Sequence, residues 1–67
     1  MEGNCGRRIR AFRKLKGYTQ QRFAEKVGLS LSVLGEIERE SRYPTEEQLE
    51  RIAATLGVAI DEVKGEI

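Results

Sequence analysis

The side chains best equipped for chemistry in this 67-residue chain are its twelve lysines and arginines, and they are not evenly spread. Residues 1–26 carry eight of them, Arg7, Arg8, Arg10, Arg13, Lys14, Lys16, Arg22 and Lys26, against two Glu, for a local charge of +6. Residues 27–67 carry four against nine acids, for −5, so the net charge of +1 conceals two halves of opposite sign. Guanidinium and ammonium groups bind phosphate, and a phosphate-binding surface needs a local basic face rather than a high overall pI. The plainer reading of such a run is a solvated helix surface. Other reactive groups are scarce. There is no His, and Cys5 is the single thiol, with no activating base in view. That excludes a zinc site and an internal disulfide, and makes Cys5 a small apolar filler. The acids fall as helix caps and helix surface, and no phosphate loop is present. An enzyme is therefore not expected, nor a catalytic residue, a metal, a cofactor or a small-molecule ligand.

The elements that must position this chemistry are clearest between Gln20 and Arg39, QQRFAEKVGLSLSVLGEIER. The segment reads as two short helices joined by a sharp turn. Phe23, Val27, Leu29, Leu34 and Ile37 are apolar, Ala24 is small where two helices cross, and Gly28 stands where the chain must turn left-handed. This is the spacing of a helix-turn-helix, whose second helix lies in the major groove of DNA. The competing reading is an ordinary helical hairpin in a core.

Around it the pattern predicts three more helices. The first runs from about Asn4 to Lys16, with Cys5, Ile9 and Phe12 at i, i+4, i+7 and Leu15 extending the stripe, and Gly17 ends it. Thr19 and Ser30 are N-caps for the second and third helices, with Tyr18 stapling onto Phe23 and Leu29 onto Leu34. Glu40 to Pro44 is a loop. Thr45-Glu46-Glu47-Gln48 reads as a capping box opening a fourth helix that carries Leu49, Ile52, Ala53 and Leu56 and ends at Gly57. A last short helix holds Ile60, Val63 and Ile67. No strand-like alternation is present, so the fold class is all-α.

The length allows one domain, 1–67, with modest intrinsic stability. No apolar run approaches the roughly 20 residues a membrane span needs, and the N-terminus lacks a signal-peptide core, so the expected location is the cytoplasm, without a membrane partner.

With these residues placed, the chain resembles the Cro/C1-type (XRE family) helix-turn-helix regulators of phage and bacteria. The resemblance rests on GRRIRAFRKLKGYTQQRFAEKVGLS, LGEIER and RYPTEEQLERIAATLGVAIDEV, nearly the whole chain. It implies a compact five-helix lambda-repressor-like domain that binds double-stranded operator DNA, commonly as a homodimer, here a stand-alone module ending after the fifth helix. By the same resemblance Gln20, beside Gln21, matches a phosphate-binding position at the start of the second helix. Leu31, Ser32, Gly35 and Glu36 match positions facing base edges. Helical geometry agrees, because 31/35 and 32/36 are i, i+4 pairs and Leu34 and Ile37 must turn inward. Arg39, Arg42 and Tyr43 match phosphate contacts, and Arg13 and Glu38 match a charged pair tying the first helix to the third. Val58, Ile60 and Val63 are many apolar residues for so short a terminal segment and are read as the dimer interface.

Three features depart from the family pattern. The groove face has no Arg or Gln, so bidentate guanine or adenine contacts are missing from it. Glu40 stands where Gly is usual, and Ala59 where a hydroxyl cap is usual. The expected function is a sequence-specific, repressor-like transcriptional regulator with the third helix in the major groove. The alternative is a protein-interaction or accessory module on the same fold, with the Leu31/Gly35 surface as its partner patch.

Overall fold

The computed structural model describes residues 4–65. They form five helices: α1 (Cys5–Leu15), α2 (Gln20–Val27), α3 (Leu31–Glu38), α4 (Glu46–Leu56) and α5 (Ile60–Lys64). Among the described residues none is in a strand, and no helix is long and apolar enough to cross a membrane. Ile67, expected in the last helix, lies outside the described residues.

Local chemistry sets most boundaries. The Thr19 hydroxyl accepts from the Arg22 N–H and the Ser30 hydroxyl from the Val33 N–H, each at 3.1 Å. Thr45 and Gln48 satisfy each other's backbone N–H groups reciprocally, at 3.1 and 2.9 Å. Each such cap contributes about 1 kcal/mol. The Tyr18 and Phe23 rings meet at 5.4 Å and fix how the chain enters α2. Gly28 closes α2 at φ 73°, a left-handed conformation that a Cβ would strain.

The N-terminus of α1 is built differently. Asn4 makes no side-chain cap. Instead Glu40, from the loop after α3, accepts the Arg7 N–H at 3.1 Å. The two segments meet because position 6 is glycine: a β-carbon there would stand 2.1 Å from the Ile37 carbonyl oxygen. The positive end of the α1 dipole thus rests on the negative end of α3. Glu40 itself sits at φ 65°, the single non-glycine with positive φ among the described residues.

All five helices contribute to one core. Ile9, Phe23, Leu34, Ile37, Leu49, Ile52 and Val63 are fully buried in it. Two expectations fail here. Leu15 does not extend the core stripe of α1; it is 77% exposed. The buried arc of α1 is Cys5, Gly6, Ile9 and Arg13, and at about 100° per residue Leu15 falls roughly 120° around from Ile9. Val63 does not serve a dimer surface, because it is 0% exposed. The fifth helix spends it closing the core, while Val58 and Ile60 pack against that core half-buried. The first helix is also shorter than expected by one residue at each end, where Asn4 and Lys16 are its caps.

Candidate nucleic-acid interface

The α2–turn–α3 unit presents one open face of α3. Leu34 and Ile37 are buried, as their spacing requires, and Leu31 and Ser32 are exposed, with Glu36 half-buried beside them. α3 runs eight residues, and an α-helix, about 10–12 Å across with its side chains, fits the roughly 12 Å width of the major groove.

Gly35 is buried and offers no groove surface of its own. The Arg39 guanidinium lies over it, with Nη1 3.1 Å from where a β-carbon of residue 35 would project, and the Gln20 side-chain nitrogen stands 4.0 Å from that point. Helical side chains lean toward the N-terminus, so residue 39 covers the turn that begins at 35.

Beneath this face lies a charged network. Arg13 holds Glu38 through Nε–H to Oε2 at 2.7 Å and Nη2–H to Oε1 at 3.1 Å. The two side chains are 8% and 3% exposed. Arg13 also donates Nη1–H to the Tyr18 carbonyl at 2.9 Å, and the Gln20 amide donates to Glu38 Oε1 at 3.1 Å. The network joins α1, the start of α2 and the end of α3. Among the described residues it leaves no buried side-chain polar atom without a partner, as buried charge requires. The expected Arg13–Glu38 pair is therefore present. Gln20 is turned partly inward by its bond to Glu38, while Gln21 is exposed beside it.

At the C-terminal edge of α3, Glu36 accepts from Arg42 Nε at 2.7 Å in an exposed pair. The Ser41 hydroxyl donates to the Glu36 carbonyl at 3.2 Å. Tyr43 is 55% exposed. It hydrogen-bonds the buried thiol of Cys5, whose pKa is raised chiefly by burial and further by Glu40, the Tyr43 bond opposing. A neutral thiol of this kind is a packing group rather than a nucleophile. Arg39 is exposed, and among the described residues its guanidinium makes no hydrogen bond or ion pair.

The basic half is accordingly less of a continuous face than its charge suggests. Arg13 is neutralised by Glu38, and Arg8 donates Nε–H to the Glu62 carbonyl, binding α1 to α5. Arg51, from the acidic half, donates to the Val27 carbonyl at 3.1 Å and to Glu47 at 3.1 Å. It caps α2 from outside, in space that a side chain on Gly28 would take, 2.7 Å from Nη1. Pattern reading finds none of these long-range contacts. A glycine inside a helix, at Gly6 and at Gly35, is a visible signal of a different kind, marking the close approach to Ile37 and the seat of the Arg39 guanidinium.

Residues 9–63 match the helix-turn-helix family model. An HTH-type transcriptional regulator of Bacillus subtilis, YazB, is 55% identical over 58 residues, covering 87% of this chain and 84% of YazB. The structure of SinR, described as a master regulator for biofilm formation, in complex with DNA, superposes with a TM-score of 0.83 at 38% identity, over 88% of this chain and 95% of that one. The chain spans 50% of SinR from Bacillus subtilis at its full length. The P22 c2 repressor bound to a synthetic operator superposes with a TM-score of 0.87 at 28% identity, over 94% of this chain and 96% of that one.

Proposed function

This chain belongs to the XRE-type helix-turn-helix family, and from that premise we propose that it is a DNA-binding transcriptional regulator of the repressor kind. The observation that carries the reading is the α3 face itself. An eight-residue helix stands open along Leu31 and Ser32, is flanked by the cations Arg39 and Arg42, and is locked from below by the Arg13–Glu38–Gln20 network. A lock of this kind holds a reading helix at one angle to its neighbours, which base recognition requires. The solved relatives on DNA support the same assignment.

In this reading α3 enters the major groove. Leu31 packs on a thymine methyl, and Ser32 bonds a base edge. Gln20, Gln21, Arg42 and Tyr43 lie along the flanking phosphates. Glu36 neutralises Arg42 in the free protein, and on DNA it either keeps that partner or accepts from a cytosine amino group. The protein works in the cytoplasm as one domain, 1–67, and binds a two-fold operator as a homodimer, using the accessible parts of Val58 and Ile60.

Titrating mixed-sequence duplex at several salt concentrations tests the reading. Each phosphate neutralised adds roughly −0.9 to the slope of log K against log salt, so several contacts give a steep line. Weak binding with a flat salt response, across a random library, would instead support the interaction-module alternative. Sedimentation with and without DNA at high micromolar protein tests the dimer, and monomer alone would remove that part.

A further inference from the structure

This inference rests on the DNA-reading function proposed above and names the side chain that sets its specificity. None of the eight residues of α3 is Arg, Lys, Gln or Asn, so the helix has no side chain of its own for bidentate contact with guanine or adenine. Arg39, the C-cap residue, follows immediately. Its guanidinium folds back along the helix, with Nη1 3.1 Å and Cζ 4.0 Å from the β-carbon position of Gly35.

Three observations give that placement meaning. Leu31, Gly35 and Arg39 are spaced by four and form one ridge of the helix, so the guanidinium lies on the same ridge as the exposed Leu31. Glycine is an unfavourable residue in a helix interior, and the core does not call for it at 35. The nearest atoms an added β-carbon would meet belong to Arg39 and to the Gln20 amide, not to core side chains. Arg39 is also uncommitted. Arg8, Arg13, Arg42 and Arg51 are each engaged by a carbonyl or a carboxylate, while among the described residues the Arg39 guanidinium has no hydrogen-bond or ion-pair partner.

We infer that Arg39 is a base-reading residue and that Gly35 is its seat. From that seat two guanidinium N–H groups donate to O6 and N7 of a guanine in the major groove. A β-carbon at 35 would push Nη1 outward by a few tenths of an ångström and tilt the fork away from the base edge. The ridge then reads a guanine through Arg39 and a thymine methyl through Leu31, and Arg42, held by Glu36, is left to the flank.

Selection from a random duplex library, run with the full chain, Arg39→Lys and Gly35→Ala, tests this. Lysine keeps the charge for a phosphate but loses the planar fork. Alanine favours the helix while displacing only the flexible end of Arg39, and thermal melts verify that both variants are folded. The full chain is expected to select a guanine at one position of each site. Both variants lose that preference by about tenfold or more, and their affinity for duplex lacking the guanine stays within about threefold. A preference retained in either variant, with affinity falling evenly on all sequences, overturns the inference and leaves Arg39 a phosphate contact. If the full chain selects no sequence at all, the DNA-reading function itself fails and this inference falls with it.

Discussion

Removing Glu38 is the perturbation whose size the structure specifies best. In Glu38→Ala the Nε–H and Nη2–H donors of Arg13 and the amide donor of Gln20 lose their acceptors together. Arg13 is 7% exposed, so water reaches it poorly, and its remaining bond to Tyr18 satisfies one nitrogen only. Each stranded donor costs about 1–3 kcal/mol. Gln20 is half-buried and rehydrates, which brings the expected loss to about 3–5 kcal/mol, the range for breaking a buried pair. A domain of this length has a total stability of roughly 3–10 kcal/mol, so Glu38→Ala should lose a large share of it and unfold outright at the lower end of that range. Arg13→Met should cost a similar amount by stranding the Glu38 carboxylate. The double variant Arg13→Met/Glu38→Leu should recover most of the loss, because no charge is left buried. Urea melts followed by far-ultraviolet circular dichroism, with a stabilising osmolyte for the single variants, complete the cycle. Single variants losing under about 1 kcal/mol, with no coupling between them, would mean the pair behaves as an exposed one and would refute the reasoning.

Gly6→Ala puts a β-carbon 2.1 Å from the Ile37 carbonyl, a backbone atom that cannot swing aside, so α1 must shift off α3. A loss of more than about 2 kcal/mol in the same melts is expected, and a neutral result would show that the helices do not touch there. Glu40 combines a left-handed backbone, φ 65°, with a side chain that caps α1. Glu40→Ala loses the cap and keeps the strain, for about 0.5–2 kcal/mol of destabilisation, whereas Glu40→Gly also relieves the strain and should lie closer to wild type. The reverse order of the two would sink this account. Ala59 is the N-cap of α5 without a side-chain acceptor, and only Glu62 reaches back to its N–H, at 3.4 Å. Ala59→Ser should raise stability by roughly 0.5–2 kcal/mol, and an unchanged midpoint would place the start of α5 elsewhere.

Much of this protein is written in short-range pattern. Thr19, Ser30 and Thr45 cap helices because a hydroxyl can reach an N–H two or three residues on, whatever the rest of the chain does. Gly28 and Gly57 end helices because only glycine enters the left-handed region freely. The 3.6-residue period then turns Leu34, Ile37, Leu49 and Ile52 to one side. From these alone the five helices and their order were legible, and so was the face of α3 along Leu31 and Ser32. The Arg13–Glu38 pair was legible only through resemblance to the family, since twenty-five residues separate its members. Other features depend on which surfaces meet, and that is decided only in three dimensions. The rotation of α1 buries Gly6 and Arg13 and leaves Leu15 outside, although all lie on one amphipathic helix. Val63 belongs to the core because α5 folds back onto α1 and α4, which no local period reveals. The Glu40 cap on α1, the Arg51 cap on α2 and the Arg39 guanidinium on Gly35 all join groups by long, flexible side chains. The spacing of the Glu40 and Arg51 contacts carries no signal, because the direction of those side chains is set by the packing around them rather than by the backbone they hang from.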